Sequence, residues 1–205
     1  MQSYTTVLGE GKYEYEDRKS VFIGNAVPVS TESEALDFIS FIKKKYPDAR
    51  HHVYAYVLRE NSIMRFSDDR EPQGTAGMPV LDAIRKNSCT DVAIVVVRYF
   101  GGTLLGTGGL VRAYSAAAVG ALENAKIITY DIYAVMNITA SYSDYQKIMP
   151  ILTECDFRIT ETVYADSVII NGKISKKAVD GFNKSITEVT SGRIKAEIVE
   201  EIFDF

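Results

Sequence analysis

The stretch DVAIVVVRY (residues 91–99), FGGTLLGTGG (100–109) and LVRAYSAAAVGALENA (110–125) decides how the chain is read. Val92 to Val97 is an unbroken apolar run, mostly β-branched, and predicts a central strand buried on both faces. Residues 109–125, rich in Ala, Leu and Val, predict a buried helix. The small side chains of Ala116, Ala117 and Ala118 imply close packing of that helix on a sheet. Between strand and helix, five of the chain's 14 glycines fall at Gly101, Gly102, Gly106, Gly108 and Gly109. Glycine permits tight turns and close backbone approach, and a helix start presents free N–H groups and a positive dipole end. Together they make an anion site, to which Arg98 and Arg112 can add bidentate contacts. Two other readings stay open. The glycines can serve strand–helix packing, with Arg98 paired to a carboxylate, or they can shape a protein-docking surface. The loop is neither a Walker A motif, which needs Gly-Lys-Ser/Thr, nor a dinucleotide fingerprint, since Val111 stands where the last glycine belongs.

Upstream lies a second motif, SDDREPQGTAG (67–77), between a predicted strand and a predicted helix at 78–86. Asp68, Asp69 and Glu71 can form a cation site or a carboxylate pair for acid–base chemistry. They can equally bond nearby backbone amides or clamp the glycine loop. His51 and His52 are adjacent on a predicted strand, so they face opposite sides and only one can join a given site. No second histidine or cysteine completes a zinc pattern, so no metal is expected.

The elements around these motifs form two α/β units. Residues 13–29 read as a hairpin. A capping box at Thr31–Glu34 opens a helix with Leu36, Ile39, Ile42 and Tyr46 on one face, ended by Pro47. Residues 52–60 and 62–67 pair as a hairpin turned at Asn61. From 133 onward the order is strand (133–141), helix (143–155, N-capped by Ser143 and kinked or split at Pro150), two strands (158–165, 167–174), helix (175–190) and strand (193–203). That is the β-α-β-β-α-β ferredoxin-like pattern. The expected domains are 1–130 and 131–205.

The 205 residues, 46% hydrophobic and 24% charged, suit an ordinary globular protein and exclude a disordered chain. No apolar run approaches the length of a membrane span, and the N-terminus lacks the pattern of a secretory signal. Cys89 and Cys155 are far apart, so a reducing cytoplasm is the expected location. Lys+Arg number 23 against 27 Asp+Glu, a net charge of −4. Residues 1–130 balance at 15 of each sign, and the acidic excess lies entirely in 131–205. Nucleic-acid binding would need a local patch rather than a global field.

Taken together, S-D-D-x-E-P-x-G-T-A-G at 67–77 and R-Y-F-G-G-x-x-L-G-x-G-G-L-V-R-A-Y at 98–114 resemble the IMPACT/YigZ family. The likeness is strong over the first unit and rests on length and pattern in the second. One departure is Arg70, where the family usually has glycine. The resemblance implies an α+β protein: an N-terminal ribosomal-protein-S5-domain-2-like domain, then a ferredoxin-like domain similar to domain V of elongation factor G. It implies a non-enzymatic binding protein linked to translation regulation. Its expected partners are RNA or the ribosome, or a translation-regulatory protein, with no membrane, no DNA and no cofactor. The expected binding residues are Arg98, Gly101, Gly102, Gly106, Gly108, Gly109 and Arg112, supported by Asp68, Asp69 and Glu71. The alternative is a phosphate-binding enzyme, kinase-like or hydrolytic, that uses these carboxylates and the glycine loop.

Overall fold

The structure, a computed structural model, describes residues 2–205, with Asn61 described by its backbone alone. Contacts divide the described chain into a unit at Tyr4–Thr129 and a second unit built on Tyr130–Phe205.

The first unit holds an antiparallel sheet of β2 (Gly11–Asp17), β3 (Ser20–Pro28), β4 (His51–Leu58), β5 (Ile63–Ser67) and β6 (Val92–Tyr99). Their order is β2-β3-β6-β4-β5. The apolar run is therefore the middle strand, bonded to β3 on one side and β4 on the other. Alternate β6 side chains enter two different cores. Val92, Ile94 and Val96 face a core shared with α2 (Gly77–Lys86) and α3 (Gly106–Asn124). Ala93, Val95 and Val97 face the core under α1 (Glu32–Lys45). The alanine run does lie close to the sheet: a Cβ on Gly24 of β3 would stand 2.2 Å from the Ala117 carbonyl oxygen.

Local details depart from expectation for physical reasons. Helix α3 starts at Gly106 rather than Gly109, because burial of Leu110, Ala113 and Tyr114 carries the weakly helical Thr107-Gly108-Gly109 along. Leu36 is 52% exposed, and the buried stripe of α1 is Ala35, Ile39 and Ile42. Thr31 caps α1 as expected, accepting from the Glu34 N–H, while the Glu34 carboxylate accepts from the Ser30 N–H at 2.6 Å. One short strand was not anticipated: β1 (Tyr4–Val7) pairs with the start of β7 (Ile127–Ala140), and Thr5 Oγ1 lies 2.9 Å from Thr129 Oγ1.

The second unit continues through β7, α4 (Tyr142–Glu154), β8 (Arg158–Tyr164), β9 (Val168–Ser175), α5 (Val179–Thr190) and β10 (Ala196–Asp204). The sheet order β10-β7-β9-β8, antiparallel throughout, is that of a ferredoxin-like fold. Ile148 and Leu152 of α4 and Phe182 and Ile186 of α5 share one core with Met136, Ile138, Val168 and Ile170, so both helices cover the same face. The α4 cap is Ser141, not Ser143: its Oγ accepts from the Asp144 N–H at 3.1 Å. Pro150 does not split α4. A short 3-10 turn at Lys176–Ala178 precedes α5, so that helix starts later than residue 175. The described residues form an α+β protein with two sheets and five α-helices. No helix among the described residues is long and apolar enough to cross a membrane.

Candidate functional site

The two sequence motifs meet at Glu71. The loop after β5 folds back through an Asp68 carbonyl to Glu71 N–H bond of 2.9 Å, which sends the Glu71 side chain inward. There Glu71 Oε1 accepts from Arg98 Nη1 at 2.6 Å and from the Tyr114 hydroxyl at 2.8 Å. His51 Nε2 stands 3.8 Å away. The Arg98 and Glu71 side chains are only 7% and 4% exposed, so desolvation and pairing must balance within the protein. Phe22 and Phe100 flank the guanidinium at 5.3 and 5.7 Å. Burial, reinforced by the Glu71 carboxylate, pushes the Tyr114 phenol well above its usual range, so it stays a neutral donor. Arg98 Nε is the one buried side-chain polar atom without a hydrogen-bond partner among the described residues.

The two aspartates serve the backbone. Asp68 accepts from the amides of Gly74 (3.0 Å), Ala76 (3.1 Å) and Gly77 (2.8 Å), and so caps the start of α2 from outside the helix. Asp69 Oδ2 accepts from the His52 N–H at 2.6 Å, tying the loop to the start of β4. The histidines do face opposite ways. His51 Nδ1 donates to the Asp69 carbonyl at 2.8 Å, and His52 Nε2 to the Tyr46 carbonyl at 2.9 Å. Each ring nitrogen carries the proton there because a carbonyl only accepts. The described residues contain no group of three or more His, Cys, Asp or Glu placed to hold a metal ion.

The turn at Arg70 explains why glycine suits that position: its φ is +71°, next to Asp69 at +41°.

Above this buried layer lies an exposed one. Gly102 and Gly106 take φ values of +88° and +73°. Gly101 lies so close to the β2–β3 hairpin that a Cβ would come within 2.1 Å of the Lys19 backbone. The start of α3 is exposed at Gly106, Thr107 and Gly108 and has no side-chain cap. Arg112, one turn further, is exposed and has no hydrogen-bond or ion-pair partner among the described residues. Thus Arg98 lies buried with Glu71, Asp68 and Asp69 are half-buried in the turn beside it, and Arg112 and most of the glycines lie outside.

Sequence reasoning missed the hairpin tip. Arg18 and Lys19 are exposed and both left-handed, at φ +47° and +64°, in the two-residue turn that usually takes Asn-Gly. Arg18 Nη1 donates to the Leu104 carbonyl at 3.2 Å. Two adjacent basic residues between the strands were the only available signal. Leu104 itself is 80% exposed.

Comparison with known proteins agrees with this architecture. Residues 18–122 match the model of the Impact N-terminal domain, and residues 138–193 match a domain of unknown function, DUF1949. The chain is 38% identical to IMPACT family member YvyE of Bacillus subtilis (strain 168), covering 94% of this chain and 89% of that one. It is 31% identical to IMPACT family member YigZ of Escherichia coli (strain K12), covering 91% and 93%. A crystal structure titled only as a hypothetical protein superposes with a TM-score of 0.60 at 30% identity, over 98% of each chain. The Impact N-terminal match contains both motifs that converge on Glu71, and with relatives alike over nearly their whole length, the chain belongs to the IMPACT family.

Proposed function

We propose that this protein is a non-enzymatic binding protein linked to translation regulation in the cytoplasm, and that it grips phosphates of RNA or the ribosome at the start of α3. One observation carries the reading: the Arg18–Lys19 tip is docked beside a helix N-terminus that is exposed and uncapped, with unpartnered Arg112 one turn behind. Free N–H groups, a positive dipole end and three exposed cations form an anion-binding surface on a chain whose net charge is −4. Gly101, Gly102, Gly106, Gly108 and Gly109 shape the loop. Arg98, held by Glu71, anchors it from below, and Asp68 and Asp69 fix the neighbouring turn.

A salt series of binding to purified ribosomes and to short single-stranded RNA tests this. Affinity should fall steeply from low to physiological salt. Arg112→Glu should weaken it further and flatten the log–log salt slope by about 0.7 or more, the share of one phosphate on a single strand. Binding that ignores salt, or that survives Arg112→Glu together with Lys19→Glu, excludes the reading.

A second reading has its own observation. Leu104, exposed at 80%, and Phe100, at 42%, sit in the same loop and suit a translation-regulatory protein partner. That reading predicts weak salt dependence and loss of binding in Leu104→Asp.

A further inference from the structure

The first unit carries a second feature that the glycine surface does not use. A groove of about 260 Å³ opens between α1 and strands β2 and β3. It lies on the sheet face that α1 covers, the reverse of the face on which α3 packs. A single helix covers that face of a five-stranded sheet, and the groove is what it leaves open beside edge strand β2. Phe38 and Phe41 form its helical wall, and Phe41 is 58% exposed.

The polar groups of the groove are unbalanced. Asn25, 6% exposed, lines it and spends both amide hydrogens on the carbonyls of Ile23 (3.0 Å) and Val95 (3.3 Å). Its Oδ1 accepts no hydrogen bond among the described residues and is not one of the fully enclosed polar atoms, so it is an acceptor open to the groove. At the rim, Lys45 Nζ lies 5.6 Å from the Phe41 ring centre and 5.8 Å from that of Tyr46. Lys12 Nζ also lies 5.8 Å from the Tyr46 ring. Neither ammonium pairs with a carboxylate among the described residues, although Glu10 lines the same groove. Lys43 and Lys44 add positive charge in the same last turn of α1.

An apolar wall, an open acceptor and a cationic rim complement a chain that brings an apolar side chain, a backbone N–H and carboxylates. We infer that this groove binds an acidic peptide segment of a partner protein. An aromatic or aliphatic side chain sits against Phe38 and Phe41, a backbone N–H donates to Asn25 Oδ1, and acidic side chains reach Lys12 and Lys45. A phosphate backbone fits less well, because Glu10 repels a continuous run of negative charge, whereas spaced carboxylates can avoid it.

The test uses the full chain and a short fluorescein-labelled peptide, a phenylalanine–leucine pair flanked by aspartates, followed by fluorescence anisotropy. Saturable binding is expected, weakened about tenfold or more by Phe41→Ser and by Lys12→Glu, and absent for the same peptide flanked by lysines. Both substitutions fall on exposed side chains, and an unchanged thermal melt shows that the fold is kept. Failure of the acidic peptide to saturate, or unaltered binding by both variants, overturns the inference. So does a result in which these variants lose single-stranded RNA while the peptide never binds, since the groove would then be a nucleic-acid surface. Arg112→Glu should leave peptide binding intact, which separates this outcome from that of the α3 surface.

Discussion

At the scale of the residue, Glu71 holds the site together. It accepts from Arg98 and Tyr114 with a single oxygen, so neutralising it strands a buried guanidinium. Glu71→Gln should destabilise the first unit by about 3–5 kcal/mol in urea unfolding. The double variant with Arg98→Met should recover much of that loss, since it removes the stranded charge. A double variant no better than Glu71→Gln would show that the ion pair is not the source. Arg70 offers the opposite test. Its left-handed backbone is unfavourable for a side chain by about 1–2 kcal/mol, partly offset by the unfolded-state entropy that glycine adds. Arg70→Gly should raise stability by about 0.5–1 kcal/mol, and a loss would mean that the Arg70 side chain contributes more than its backbone costs. The sequence places these residues in two motifs but leaves open which carboxylate meets Arg98. Glu71 is three residues from Asp68 in a polar loop, and nothing local separates a carboxylate that bonds amides from one that is buried. The turn that inverts the chain at Asp69 and Arg70 makes that difference.

At the scale of the element, Asp144 ties the start of α4 to the segment that leads into β10. Ser141 caps the helix, and the Asp144 carboxylate accepts from Arg193 at 2.7 and 3.1 Å. The Arg193 bonds, with Ser141 and Lys147 assisting, hold the Asp144 carboxyl well below the usual range. A lowered folded-state value means that this contribution is complete above the unfolded carboxylate value near 3.9 and is lost as pH falls through the folded value. Asp144→Asn should therefore destabilise the second unit at pH 7, with the gap from wild type closing only below about pH 4. A gap that closes near neutrality would point to another group. Long, strongly patterned elements were readable from sequence. The β6 run could only be a doubly buried strand, and the β-α-β-β-α-β order of the second unit follows from its alternation and turns. Strand β1 was not readable, because four residues that pair with Thr129 and bridge Cys89 depend on distant partners. The shift of the α4 cap from Ser143 to Ser141 had the same cause in miniature: two serines compete, and the one three residues before Asp144 wins.

At the scale of the whole molecule, the cores of the two units share no residue. Glu71→Gln should therefore raise amide hydrogen exchange within residues 4–129, and Asp144→Asn within 130–205, each leaving the other unit's protection intact. Loss of protection in both units from either substitution would show cooperative unfolding of the entire chain. The charge distribution follows the same division. The excess of carboxylates lies in residues 131–205, so any phosphate contact in the first unit works from a balanced surface with a local cationic tip.

The position of β6 in the middle of its sheet also bears on how the chain is made. Its neighbours, β3 and β4, both precede it in the chain. On a translating ribosome the β2–β3 and β4–β5 hairpins emerge first, each with one long edge and no partner. At roughly 5–20 residues per second, the interval between completion of β3 and of β6 is on the order of 4–14 s. During that time the β3 edge, and from residue 67 onward the β4 edge as well, are open to pairing with other nascent chains, so slowed elongation before residue 99, or a shortage of chaperones, should be felt first as aggregation of this unit rather than as loss of the proposed binding surface.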